Sequence, residues 1–329
     1  MLGFMVYKIG IDTILEGLRK MRYWFFAIVA LWFFIYCLNT LAWKIIIKNE
    51  EGQKPPSFLF LLRTKITGFA INYITPFVAM GGEPYKIMVL KEYMSTEKAT
   101  SCTILYTMMH IFSHIVFWMT AIILGLIFYK MKWVTFVLLL LLLVVLFLGV
   151  LLFLNGYKKG LVVRSFRIFG KIPFVKKYVN KISETKMDKL KEIDSQISHL
   201  HTHRRSSFYW AFFVEFLSRY VMCFEVNIIM FALASMFPDV HVTFLDAVMV
   251  TTGYSLFANL VFFVPMQIGS REGGYMLAFE AVSLPTSPAF IVSIVTRIRE
   301  LFWIFIGLLL LRTGKQKDIK IKDLETKID

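Results

Sequence analysis

Cysteine is scarce in this chain. Cys37, Cys102 and Cys223 are the only three in 329 residues, an odd number without CxxC spacing and set in or beside apolar stretches, which argues against a disulfide framework or a zinc site. Signature motifs are lacking too: no GxSxG, Walker loop, Rossmann glycine fingerprint or HExxH occurs, so no catalytic residue and no cofactor is expected, and nothing points to ATP-driven transport. Charge is missing over long distances. Tyr23 to Trp43, Ser101 to Tyr129, Trp133 to Leu154 and Ala247 to Ser270 contain no Lys, Arg, Asp or Glu, and each reaches the ~20 residues that a spanning helix needs. With 57% hydrophobic and 16% aromatic residues and a mean hydropathy of +0.65, the composition excludes an ordinary soluble domain. Met1 to Ile11 has neither a cleavage-site pattern nor a long apolar core, so no removable signal peptide is expected. The segment reads more like a shortened first helix.

Against this apolar background the net charge is +15, and most of it sits in one place. Between Gly156 and Ser206 thirteen lysines and arginines face four acids. Beside membrane spans such a segment keeps its loop cytoplasmic and attracts anionic lipid. Nucleic acid is not expected as a partner, because no binding module accompanies the charge. His199, His201 and His203 fall in the same loop and read as facing solvent or lipid headgroups. The chain therefore divides into a first membrane half (1–155), a basic cytoplasmic loop (156–206), a second membrane half (207–311) and a charged tail (312–329) expected to be loosely ordered. The location that follows is a cell (inner) membrane, crossed several times, with loop and tail cytoplasmic.

Each half contains an apolar stretch that breaks in a similar way. Asn72 and Pro76 run into Gly81, Gly82 and Glu83, and Asn259 and Pro265 run into Gly269, Arg271 and Glu272. Broken backbone at membrane depth survives only where protein buries it or a wet cavity lines it, and charges there are functional candidates. Two matching breaks point to a binding site between internal repeats. The expected fold is an all-α polytopic membrane protein of two inverted repeats, each with a broken re-entrant helical element, at about 58–83 and about 243–284. Pro84 to Thr100, with its mixed charges, suits an interfacial helix. Phe208 to Phe237 reads as a helix, and Pro285 and Pro288 should precede a last helix ending at Leu311.

Several ionisable residues fall deep in these segments. Glu83 and Lys86, and likewise Arg297 and Glu300, are three apart, while Glu215 and Arg219 are four apart, so each pair can share a helix face as an internal ion pair. Arg299 lies beside the second pair. Together with Arg63 and Lys65, the arginines 271, 297 and 299 supply cations, and helix N-termini after the breaks supply free N–H donors, a combination that suits phosphate. Either Glu83 or Glu272 could carry a proton during a transport cycle, but neighbouring Lys86 and Arg271 favour a purely electrostatic role. His110 and His114 have the i, i+4 spacing of a helical metal pair, yet no carboxylate or cysteine nearby in sequence completes it, and packing with hydrogen bonding is the preferred reading. Met108 and Met109 read as packing, and Trp24, Trp43, Tyr129 and Trp133 as interfacial anchors.

Gly81-Gly82-Glu83-Pro84-Tyr85-Lys86 and Gly269-Ser270-Arg271-Glu272-Gly273-Gly274, each behind a proline in a broken apolar segment, resemble the two signature regions of the lysylphosphatidylglycerol synthase transmembrane family. That flippase-like family implies membrane helices with two re-entrant elements from inverted repeats, and movement of aminoacylated phospholipid, polyprenyl-linked or other polar lipids between leaflets. The first family helix looks shortened or missing, and the chain looks like the membrane part without the soluble aminoacyl-transferase domain.

The expected function is thus a lipid translocase, with membrane lipids (anionic phospholipid, aminoacyl-phospholipid or polyprenyl-linked lipid) as partners. The expected path comprises Asn72, Pro76, Gly81, Gly82, Glu83, Lys86, Glu215, Arg219, Asn259, Pro265, Gly269, Arg271, Glu272, Arg297, Arg299 and Glu300. Competing readings are an intramembrane enzyme that modifies a lipid headgroup, with Glu83 or Glu272 as general acid or base, and a scaffold that transports nothing. Lipid species, direction, energy source and oligomeric state are left open.

Overall fold

The computed structural model describes residues 11–47, 55–75, 81–158, 195, 205–261, 267 and 269–325. The described residues contain ten helices and no strand: α1 Ile11–Lys20, α2 Trp24–Ile46, α3 Phe58–Ile74, α4 Gly82–Leu90, α5 Thr96–Phe128, α6 Trp133–Lys158, α7 Arg205–Ala232, α8 Phe244–Leu260, α9 Ser270–Ala281 and α10 Thr286–Glu325. Pro76, Pro265, residues 1–10 of the expected shortened first helix and nearly all of the basic loop lie outside the described residues.

Helix boundaries follow local chemistry. Ser57 caps α3 by accepting from the Phe60 N–H at 3.2 Å, and Ser95 caps α5 through the Lys98 N–H at 3.3 Å, each satisfying a donor with no partner inside its helix. The expected interfacial segment Pro84 to Thr100 is accordingly split between α4 and the start of α5. Thr243 and Asp246 close a reciprocal capping box on α8, and Asn227 of α7 donates to the Val242 carbonyl at 3.1 Å just before it. The second half departs from the sequence expectation at three ends. The helix expected over Phe208 to Phe237 stops at Ala232 and continues as turns. The last helix begins at Thr286, between the two prolines, because Pro288 falls in its first turn, where a missing N–H leaves no bond unmade. It then runs past Leu311 to Glu325 instead of giving way to a loose tail.

Helices α2 and α5, and α6 over Trp133–Leu151, are long and apolar enough to cross a membrane. Many of their large side chains are exposed, including Phe26, Phe34, Ile127, Leu138 and Leu141, a surface suited to lipid and not to water. Ala247 to Ser270, which the sequence presents as one uncharged stretch, is divided: α8 ends at Leu260 and α9 starts anew at Ser270.

The chain forms two compact units, one of residues 1–37, 57–86 and 220–329, the other of 38–56 and 87–219. In the first, α10 packs on α3, α9 and α1, and α9 packs on α8. Tyr36, Leu62, Ile66 and Trp303 form one apolar centre, with the Tyr36 and Trp303 rings edge to face at 5.0 Å. Ile14 and Phe290 anchor amphipathic α1 to α10. Gly307 permits the close approach of α10 to α3, since a Cβ there would lie 2.6 Å from the Ala70 Cβ and 2.7 Å from the Ile66 carbonyl oxygen. Gly307→Ala is therefore expected to destabilise by about 1–3 kcal/mol through overpacking, read as a lower midpoint in detergent unfolding, whereas Gly149→Ala, which meets nothing within 4 Å, should leave it unchanged. In the second unit α5 and α6 pack together.

Candidate functional site

Ser270 to Tyr275, the opening of α9, is buried despite holding Arg271 and Glu272. It begins at Gly269, whose φ of 84° lies in the left-handed region that glycine adopts without a Cβ penalty. Glu272 turns back to accept the Gly269 N–H at 2.7 Å, the reciprocal half of a capping box in which glycine has no side chain to supply the other half. Its second oxygen takes Arg297 of α10, through Nη2 at 2.8 Å and Nε at 3.2 Å.

Two further ion pairs complete the cluster. Arg271 grips Glu300 with both terminal nitrogens, at 2.8 and 3.0 Å, and reaches the Gln267 side-chain oxygen at 3.3 Å. Arg299 holds Glu225 of α7 at 2.9 and 3.1 Å while its guanidinium lies 3.6 Å from the centre of the Trp32 ring. Three arginines thus meet three glutamates in a neutral set of charge-assisted, largely two-pronged bonds. Arg297 and Glu300, three apart in sequence, do not pair with each other as expected: each reaches across to α9, because the buried α9 opening brings one unmatched charge of each sign to α10. Among the described residues Ser270 Oγ and Arg271 Nε are buried without a hydrogen-bond partner.

The first break is built differently. Asn72, in the last turn of α3, accepts the Gly82 N–H at 2.6 Å and so caps α4 from across the break. A Cβ on Gly82 would collide with the Gly68 carbonyl oxygen and meet the Asn72 amide at 2.8 Å. Gly81 lies against Thr75, and the expected Glu83–Lys86 pair is present at 3.1 Å, with Lys86 buried. Asn259 does not repeat the role of Asn72. Its amide donates to the Ser255 carbonyl at 2.7 Å within α8.

Of the residues expected from sequence, Gly269, Arg271, Glu272, Arg297, Arg299 and Glu300 come together around α9, and Asn72, Gly81, Gly82, Glu83 and Lys86 at the α3–α4 junction. Glu215 and Arg219 pair at 3.3 Å in the other compact unit. Glu225 and Gln267 were missed. An acid in the apolar run Phe208 to Phe237 was signal enough for Glu225, by the same reasoning that singled out Glu215; nothing in the sequence marked Gln267.

These helices define a class: a polytopic α-helical membrane protein that buries paired charges where a helix is interrupted. The chain belongs to the family of the lysylphosphatidylglycerol synthase TM region, whose sequence profile matches residues 1–307. No curated protein and no solved structure matches it.

Proposed function

We infer that this chain is a lipid translocase, moving a polar or phosphate-bearing headgroup between leaflets while the acyl chains stay in the bilayer. The family gives a membrane role related to lipid. The observation that carries the finer reading is the neutral Arg–Glu set at the α9 N-terminus, inside helices whose outward surface is apolar. A phosphate has the geometry to replace a carboxylate on arginine. Arg297, the most exposed of the three at 19% of its side chain, is the natural first contact, with Arg271 Nε and Ser270 Oγ as further donors. A displaced Glu272 or Glu300 would remain to balance charge or to meet a cationic headgroup. On this reading the cargo is an anionic phospholipid, an aminoacyl-phospholipid or a polyprenyl-linked lipid.

The two interrupted segments, α3 with α4 and α8 with α9, serve as the re-entrant elements of two inverted repeats, and the headgroup path runs along them. Halves 1–155 and 207–311 are the repeats, and the basic loop and tail face the cytoplasm of a cell membrane. Purified protein in liposomes with labelled lipids tests the reading. Wild type should speed leaflet exchange, while Arg271→Ala and Glu272→Ala should each slow it by at least about tenfold, the equivalent of one lost charge-assisted bond. Unchanged exchange in both variants, shown folded by gel filtration, would remove these residues from the mechanism.

A further inference from the structure

The second compact unit holds a polar cluster of its own, formed by α2, α5 and α7. Glu215 is fully buried, at 0% side-chain exposure, yet both its oxygens are engaged. Oε2 accepts from the Asn39 amide at 3.1 Å and the Tyr106 hydroxyl at 3.3 Å, and Asn39 also bonds Ser218 at 2.9 Å, which steadies it. Oε1 meets Arg219 at 3.3 Å and lies in direct contact with Nδ1 of His110. The His110 side chain is 39% exposed. One imidazole therefore links a wholly buried carboxylate to the accessible surface. A carboxylate and a histidine joined in this way at membrane depth are the usual parts of a proton relay.

We propose that His110 and Glu215 form a proton-binding site that couples lipid translocation by this chain to a proton gradient. The coupling rests on the translocase reading; the proton site itself does not. Arg219 supplies the reason that a proton would do work here. Its Nη2 lies 2.8 Å from Nδ1 and 3.0 Å from Nε2 of His110, so a neutral ring can accept from it. The neutral ring donates from Nδ1 to Glu215 Oε1 and accepts at Nε2; a proton taken up on Nε2 makes an imidazolium, which keeps the Glu215 bond and repels Arg219. The two protonation states favour different partners for Arg219, and hence different positions of α7 against α5. Glu225, which grips Arg299, is carried on the same helix.

Among the described residues these groups surround the ring and its carboxylate partner. From α7 they are Glu215 and Arg219, and from α5 Tyr106, whose ring centre is 6.1 Å away, with His114 one turn further on; Asn39 of α2 reaches Glu215. Helix α6, packed on α5, has no acid or base from Trp133 to Leu154. His114 Nε2 is buried without a hydrogen-bond partner among the described residues, and a ring desolvated in this way close to Arg219 is a poor place for the charge, which leaves the proton to His110. Glu83 and Glu272 are poorer carriers: each is paired with a cation, Lys86 or Arg297, as Glu215 is with Arg219, but neither has a histidine among its described partners.

Two measurements on the full chain test this. In liposomes clamped at zero voltage, a gradient of about one pH unit should shift the steady-state leaflet ratio of a labelled phospholipid by up to about tenfold for one proton per lipid. His110→Gln should keep downhill exchange but return the ratio to that without a gradient. A wild-type ratio indifferent to the gradient, or a His110→Gln ratio that still follows it, overturns the coupling. Nitrogen NMR of histidine-labelled protein in nanodiscs gives the second reading, from about pH 5 to about pH 8. A His110 ring that titrates, with a midpoint moved by Tyr106→Phe, supports the proton site even if the wild type moves no lipid, in which case the translocase reading alone falls. A ring that keeps one protonation state over that range overturns the site.

Discussion

Glu225→Ala is expected to destabilise the protein by about 3–5 kcal/mol, since it strands Arg299 in a buried position without its carboxylate. Arg299 and Glu225 have side-chain exposures of only 4% and 3%, so neither escapes to either membrane surface. Trp32, stacked on the guanidinium, recovers about 2 kcal/mol at most and cannot substitute for the acid. The sign should then reverse. In Glu225→Met with Arg299→Met, two apolar side chains fill the space, and stability should return to the wild-type value or exceed it by about 1–4 kcal/mol. Denaturation in mixed micelles, followed by tryptophan fluorescence over the full double-mutant cycle, measures both. A double variant no more stable than the single would show that the pair is irreplaceable for the fold.

The second large effect separates two arginines of one helix turn. Arg297→Gln should slow lipid exchange by at least about tenfold and cost less stability than Glu225→Ala, because the glutamine amide can still donate to Glu272 and the Gly269 N–H bond to Glu272 remains. The apolar double variant at Glu225 and Arg299 should keep its stability and slow exchange less than Arg297→Gln does, because Arg299 is enclosed by Glu225 and Trp32 while the more exposed Arg297 is left in place. Rates in proteoliposomes at equal protein density make the comparison. If Arg297→Gln exchanges lipid at the wild-type rate, phosphate does not pass through Arg297, and the Arg–Glu set is structural throughout.

The local parts of this protein were open to reading in advance. Charge-free runs and breaks bounded by proline and glycine are written in consecutive residues, so α2, α5, α6 and the interruptions after α3 and α8 could be expected from the chain itself. The Glu83–Lys86 and Glu215–Arg219 pairs belong with them, since each lies within one helix. Where a long-range partner outcompetes a local one, such reasoning fails. Arg297 and Glu300 had the right spacing and still turned to Glu272 and Arg271, and Asn72 and Asn259, alike in context, make unlike bonds.

By itself the sequence determined that this is a helical membrane protein with two interrupted segments and buried charge, because hydropathy, helix breaking and the energetic penalty for burying charge are properties of short stretches. Tertiary structure alone decided which charges meet. Arg299 with Glu225, Arg271 with Glu300, and His110 with Glu215 are each brought together from different helices, and a helix face carries no record of which other face will cover it. That choice is made by packing: Gly307 sets how closely α10 approaches α3, and the left-handed turn at Gly269 aims the buried start of α9. Once those backbones are placed, an unpaired buried charge is so costly that the ion pairs follow.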